Sequence, residues 1–398
     1  MWAGSGKPAG QGVPSLGAEA ARNRRIFILS AHVCSPATRK TSVHFIAENW
    51  ARAGHEVHFT TVGYSWLSAL KRSERFHHLR RNQYNRYTRQ AENLNAGSYL
   101  PLVHGFSSSN PVLRPLIAPL LRAYGRHLPG FIVSTVAGSD LIVLESGTPL
   151  VFFDLLRRLN PSARMLYLCR DLLKTVGAAE AIREIERARI ASFDAVCVPS
   201  RKLGTLLPPG GNVVCVPQGV ERDIFDDAGS SPYPAGTRNA VIAGDMLFDR
   251  AAVASMTEAV PEVNFHLFGV PWHGPVPGNV RLYGEQPFDV LAAHIRHADF
   301  GIAPYRYGES EAYLAESSLK LLQYAYCRLP VVLPDTVPVM RGNEIRYRSA
   351  GERDWRAVVE RALAMRQDTA FHIETLSWRE VADMTLEAAF GSGSSTRP

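Results

Sequence analysis

In the stretch GIAPYRYGESEAYLAESSLKLLQY an apolar run leads into a helical pattern whose first turns carry Ser317, Ser318 and Lys320. Two hydroxyls, an ammonium and the open amides of a helix start can hold a diphosphate and stabilise its charge as it leaves. The common alternative is a divalent metal, carried by an Asp-x-Asp that bridges the ion to phosphate oxygens. No Asp-x-Asp occurs in the chain, so a metal-free site is expected. Lys320 could equally be a solvated helix lysine, but Leu319, Leu321 and Leu322 around it place it at the border of a buried face. A second position with chemistry is Asp171, the acid that closes the apolar run MLYLCRD. At a strand end its carboxylate would face a cleft; the plainer reading is a helix N-cap, with Leu172 and Thr175 in the turn it starts.

Such groups need rigid elements to hold them. Short apolar strands alternate with amphipathic helices along the chain, the pattern of a parallel α/β protein. Strands are expected at Arg25–Ala31, Glu56–Gly63, Asp140–Glu145, Met165–Asp171, Ala195–Ser200 and Asn212–Gly219, with helices near Ser42–Gly54, Pro149–Leu159, Ala178–Ser192 and Arg201–Leu207. A second series follows, with strands Ala240–Asp245, Asn264–Val270, Val280–Glu285, Phe300–Tyr305 and Val331–Leu333. Its helices fall near Asp249–Val260, Phe288–Ala298, Ala312–Cys327 and Asp354–Met365. The expected organisation is a tail at 1–23, a Rossmann-like acceptor half at 24–219, a polar linker at 220–239 and a Rossmann-like nucleotide half at 240–372. A closing helix at 373–391 packs back on the first half, and 392–398 fray. Two doubly wound halves put a ligand cleft between the carboxyl ends of their strands.

Other classes lack their signatures. The segment after the first strand is SAHVCSPATRK, without the G-x-G-x-x-G of dinucleotide enzymes, and there is no G-x-x-x-x-G-K-[ST] phosphate loop. The five cysteines are odd in number and never spaced C-x-x-C, which fits buried thiols of a cytoplasmic protein and not a disulfide or zinc framework. No apolar run reaches the roughly 18 residues of a spanning helix, and the first residues lack the apolar centre of a signal peptide. The net charge of +7 is concentrated between Lys71 and Arg89, where Arg72, Arg75, Arg80, Arg81 and Arg86 also stand, with Tyr84 and Tyr87 interleaved. A solvated face, RNA and an anionic lipid surface all suit such a run, but no DNA-binding motif accompanies it. What remains are proteins that hold a nucleotide mainly with the second half, of which the sugar-nucleotide glycosyltransferases built this way are the largest class. Retaining enzymes of this architecture commonly show two glutamates with seven residues between them in the GIAPY region; that spacing from Glu309 lands on Ser317, so inversion is expected.

The stretches DLIVLESGTPLVFFDLLRRLNPSARMLYLCRD, VIAGDMLFD, VNFHLFGV and GIAPY…YLAESSLKLLQY resemble the xanthan-type β-glucuronosyltransferases, glycosyltransferase family 70, from about Arg25 to Leu333. The resemblance implies a GT-B fold and transfer of glucuronate from UDP-glucuronate, without cofactor or metal, to a mannose on a lipid-linked oligosaccharide in exopolysaccharide synthesis. It also implies a monotopic enzyme on the cytoplasmic face of the inner membrane, in contact with anionic lipid and not with nucleic acid. It nominates Asp171 as general base. On the donor side it nominates Met246 against the uracil, Glu285 toward uracil or ribose, and Tyr305, Ser317, Ser318, Lys320 and Gln323 around the nucleotide. His32, Arg39, Lys40 and His44 are expected to face the cleft, with Arg39 or Lys40 pairing the sugar carboxylate or an acceptor phosphate. The family's small polar residue and glycine beside the base appear here as Arg170 and Leu172, and Gln286 and Leu319 stand where it tends to have methionines. Besides the basic run, residues 111–132 suit an interfacial helix, with a core-packed helix the plainer reading of the residues alone: Leu116, Ile117, Leu120, Leu121 and Tyr124 fall at helical spacing with Arg114, Arg122 and Arg126 on the flanks, interrupted by Pro119.

Overall fold

The computed structural model describes residues 23–36, 38–70, 74–107, 114–306, 308, 311–366 and 375–391. The first unit is built on β1 (Arg25–Ser30), β2 (Glu56–Thr61), β3 (Tyr87–Ala91), β4 (Leu94–Ser98), β5 (Leu141–Glu145), β6 (Arg164–Leu168), β7 (Ala195–Val198) and β8 (Val213–Cys215). They lie in the order β3-β4-β2-β1-β5-β6-β7-β8. All neighbours are parallel except the β3–β4 hairpin. Strands β5 and β7 are buried along their whole length, and β1 and β6 at every position but the first. Their near-continuous apolar runs follow from helices covering both faces of a parallel sheet.

After the short β9 (Gly219–Val220), the second unit comprises β10 (Arg238–Ala243), β11 (Val263–Phe268), β12 (Val280–Gly284), β13 (Phe300–Ile302), β14 (Val331–Pro334) and β15 (Glu344–Tyr347). Their order is β12-β11-β10-β13-β14-β15, parallel throughout. In each sheet the chain reverses its direction of travel beside the first strand: between β1 and β5 in one, between β10 and β13 in the other. Open α/β sheets bind ligands at the carboxyl ends of such a switch point.

The chain then returns to the first unit. β16 (Leu376–Ser377) pairs with β9, and the helix Trp378–Phe390 lies on the helix Ser42–Arg52. Trp50 Nε1 donates to Ala382 O at 2.9 Å, and the Trp378 and Phe45 rings stack 5.1 Å apart. Ser377 and Glu380 close that helix's start as a capping box.

Several sequence expectations need correction. The 220–239 linker has structure of its own: it contains the end of β9, the helix Arg222–Asp226 and a buried Tyr233 whose hydroxyl donates to His294 O at 2.8 Å, and β10 already begins at Arg238. The hairpin Tyr87–Ser98 falls partly in the basic run, whose charge hid it; Asn93 supplies the left-handed residue (φ 59°) of its two-residue turn. The expected helix Ala312–Cys327 is two helices, Leu314–Ser317 and Leu319–Tyr326, broken where Ser318 takes ψ 115°. Lys71, Arg72 and Glu309 lie outside the described residues.

The two proposed lipid-facing segments are also turned differently from the simplest reading. In the helix Glu74–Asn82, Phe76 and Leu79 are fully buried, while Arg80 and Arg81 are exposed. The helix Arg114–Tyr124 continues through Pro119, and its apolar stripe of Ile117, Leu121 and Tyr124 faces the core. Among its described large hydrophobics Leu116, 57% exposed, is at the surface, as are Leu102 and Val103 before it.

Candidate active site

Both switch points open into one interunit cleft of about 370 Å³. From the first unit it receives His32, Arg39 and Lys40 after β1, Glu145 at the end of β5, and Arg170 and Asp171 after β6. From the second come Met246 after β10, Tyr305 after β13, and Ser317, Ser318, Lys320 and Gln323 at the broken helix. Residues more than 140 positions apart in sequence therefore meet because two carboxyl edges face one another.

Asp171 is not a helix cap. It lies three residues beyond β6, and the next helix starts only at Glu180. Its Oδ1 accepts from the hydroxyl of Tyr313, a second-unit residue, at 3.3 Å. Loss of solvation pushes its carboxyl up to about 7, opposed by the Tyr313 hydrogen bond, with Glu145's charge adding to the rise and Arg170's reducing it. A carboxylate in that range suits a general base at neutral pH.

In the second unit, Lys320 Nζ donates to Gly244 O at 3.2 Å and lies 5.0 Å from the Tyr305 ring centre. Burial pulls its ammonium down to about 7, with Asp245 raising and Arg39 lowering it. The Tyr305 and Ser318 hydroxyls share a hydrogen bond of 2.7 Å, while Ser317 Oγ turns back to Tyr313 O at 2.9 Å. The first i→i−4 amide bond into the helix Leu319–Tyr326 is from Leu322 to Ser318 O, at 3.2 Å. The amides of Leu319, Lys320 and Leu321 are thus the ones that helix geometry leaves open, with the positive end of the dipole beside Lys320. The break at Ser318 is what aims this end at the cleft.

The structure separates the remaining candidates. Arg39 reaches across to Asp245, Nη1 to Oδ1 3.4 Å, whereas Lys40 is held within its own unit by Glu48 at 2.7 Å. His32 lines the cleft and is kept neutral, its imidazole lowered to about 4 by burial and the charges of Arg39 and Arg75. His44 does not face the cleft. Its Nδ1 accepts from the Thr41 amide at 3.0 Å, its Nε2 meets Val33 O at 3.0 Å, and its ring stacks on Phe59, so it caps a helix from inside. Glu285 does not line the cleft, although the next residue, Gln286, does; it is bound through both carboxylate oxygens to Arg75 of the first unit.

Four residues of this constellation went unnoticed in the sequence: Glu145, Tyr313, Asp245 and Arg75 as a partner for Glu285. Glu145 carried the same signal as Asp171, an acid closing an apolar strand (DLIVLE). Tyr313 had none, since its partner is set by how the units meet.

The family model for the N-terminal domain of the glucuronosyltransferase GumK matches residues 28–199. The UDP-glucuronate:glycolipid 2-β-glucuronosyltransferase of Xanthomonas campestris pv. campestris is 31% identical over 378 residues, 94% of this chain and 92% of that protein. Solved structures share the fold at low identity. Anabaena HepE, in complex with UDP and glucose, superposes with a TM-score of 0.55 at 13% identity, over 92% of this chain and 96% of that one. A Polygonum tinctorium UDP-glucosyltransferase gives 0.55 at 10% identity, over 93% and 100%. The trehalose-phosphate synthase of Burkholderia vietnamiensis gives 0.53 at 13%, over 92% and 96%. With its two Rossmann-like units and facing switch points, the chain is a GT-B glycosyltransferase and belongs to the GumK glucuronosyltransferase family.

Proposed function

We propose that the protein transfers glucuronate from UDP-glucuronate to a sugar hydroxyl, that of a mannose, on a lipid-linked oligosaccharide during exopolysaccharide assembly, with inversion and without a metal ion. The observation that carries this reading is the pairing across one cleft of a carboxylate tuned to about 7, Asp171, with an ammonium and an open helix start at Lys320. The name of the Xanthomonas relative, a glucuronosyltransferase acting on a glycolipid, supports the choice of sugar and acceptor.

Asp171 takes the proton of the acceptor hydroxyl as its oxygen attacks the anomeric carbon, and the bond from that carbon to the diphosphate oxygen breaks on the opposite face. Lys320, the Ser318 hydroxyl and the amides of Leu319–Leu321 receive the negative charge of the departing UDP. Ser317 holds the turn through Tyr313 O, while Met246, Tyr305 and Gln323 line the nucleotide pocket. Arg39 is the cation for the sugar carboxylate: its pair with Asp245 is a loose 3.4 Å contact, whereas Lys40 is held by Glu48 at 2.7 Å; a planar fork also suits a carboxylate.

The lipid end of the acceptor calls for contact with the cytoplasmic face of the inner membrane. Supporting it are the exposed Arg80, Arg81, Arg86 and Arg89, and the apolar surface of Leu102, Val103 and Leu116. Among the described residues no helix is long and apolar enough to cross a membrane.

The test is incorporation of label from UDP-[¹⁴C]glucuronate into organic-extractable glycolipid, with UDP-glucose and UDP-N-acetylglucosamine in parallel. Label from glucuronate alone, in a β linkage, is expected. Equal or better transfer from UDP-glucose overturns the donor assignment, and an α linkage overturns inversion.

A further inference from the structure

Glu145 is a second carboxylate of the cleft, set deeper than Asp171. It is 5% exposed and closes β5 at the switch point of the first sheet. Ser30, at the end of the neighbouring β1, donates its hydroxyl to Glu145 Oε2 and accepts the His32 amide at 2.9 Å. His32 Nε2 lies 3.6 Å from Glu145 Oε1. Arg170, the nearest guanidinium, donates Nη1 to Val216 O at 3.3 Å and acts on Glu145 only through space.

A buried carboxylate is paired with a cation, hydrogen-bonded, or neutralised by taking up a proton. Here its hydrogen bond comes from a hydroxyl, the neutral imidazole stands 3.6 Å off, and the acid opens to the same cleft as Asp171 from the adjacent strand, Glu145 pairing in register with Leu168, three residues before Asp171. Like charges so placed resist joint ionisation. Burial holds Glu145 up to about 7, and its charge is one of the causes that raise Asp171.

We propose that Glu145 is a positioning residue for proton abstraction: its carboxylate, fixed by Ser30, supplies the neighbouring negative charge that makes Asp171 a stronger base, and it orients His32 in the cleft. This rests on Asp171 being the base. The groups around the pair are His32 and Arg39 from the loop after β1, Arg170 from the end of β6, and Tyr313 from the second unit. Of these, His32 is neutral near pH 7, and Tyr313 is held protonated by burial. Lys40, Asp245 and Lys320 also line the cleft. Lys320 titrates near 7 in the free protein, but kcat is read with a diphosphate beside it that favours the ammonium. Guanidinium groups do not lose their proton, so the acid limb of kcat reports the two carboxylates as a coupled pair.

The experiment is the pH dependence of kcat for the parent, Glu145→Gln, Ser30→Ala and Asp171→Asn, with UDP affinity measured for each. Removing the neighbouring charge in Glu145→Gln should move the acid limb down by about one pH unit. The plateau should fall severalfold, as expected of a weaker base, with UDP affinity unchanged. Ser30→Ala leaves Glu145 harder to ionise and should move the limb the same way by less, so it serves if the glutamine variant does not fold. A plateau loss with an unmoved limb in both variants overturns the proposal and makes Glu145 a packing residue. Retained turnover in Asp171→Asn instead overturns the base assignment, which separates the two failures.

Discussion

Arg75 of the basic helix Glu74–Asn82 holds both carboxylate oxygens of Glu285, at the end of a second-unit strand, so a first-unit cation ties up a residue proposed for the nucleotide. If Glu285 serves the nucleotide, donor binding and this ion pair compete for one carboxylate. Both side chains are partly exposed, and such a pair contributes about 0.2–1 kcal/mol.

Breaking the pair should therefore free Glu285. Arg75→Ala is expected to tighten UDP binding by up to about fivefold, and Glu285→Ala to weaken it, both read by calorimetry. If Arg75→Ala weakens binding as Glu285→Ala does, the pair assists the donor and does not compete with it.

Lys320 makes donor binding proton-linked. Its ammonium is lowered to about 7 by burial, so above that pH the free protein holds a neutral amine. A diphosphate beside it favours the charged form, and UDP binding at pH 7.5–8 should take up as much as about one proton. The binding heat will then vary with the ionisation enthalpy of the buffer. Lys320→Ala should abolish that dependence and weaken UDP by about 10–100-fold. A heat independent of buffer in the parent would remove Lys320 from the phosphates.

Most of the scaffold was legible in the sequence because parallel strands buried on both faces read as uninterrupted apolar runs, as in β5 and β7. Acids and hydroxyls at the ends of those runs then marked the cleft. Long-range pairings were not legible. His44 has the composition of a site residue but spends both ring nitrogens on Thr41 and Val33, a closure only the folded turn shows. The basic run read as one surface, yet it divides into a helix anchored by Phe76 and Leu79, a hairpin strand and the Arg75 contact across the cleft. Period alone could not decide the helix Arg114–Tyr124, because an apolar stripe looks the same whether it meets lipid or core; here it meets the core.

Chelation tests the metal-free reading. With UDP-glucuronate and lipid-linked acceptor, transfer should be the same with EDTA as without. A tenfold loss restored by Mn²⁺ would mean that a cation, and not Lys320 with its helix start, carries the diphosphate charge.

Membrane attachment is expected to be electrostatic in part. Arg80 and Arg81 are exposed at the end of their helix. Reversing both charges should shift the protein from anionic liposomes to the supernatant, as should raising the salt. Sedimentation like the parent's would make the run a solvated face.

The central claim is that Asp171 removes the acceptor proton, and Asp171→Asn tests it most directly. The substitution is nearly isosteric, keeps an oxygen to accept from Tyr313 and removes only the basic group. Turnover should fall by roughly 10²–10⁴, with UDP affinity intact because the nucleotide is held by the other unit. In the parent, the rate should rise with pH through about 7 as the carboxylate ionises. Near-normal turnover in Asp171→Asn, with UDP affinity unchanged, would contradict the account.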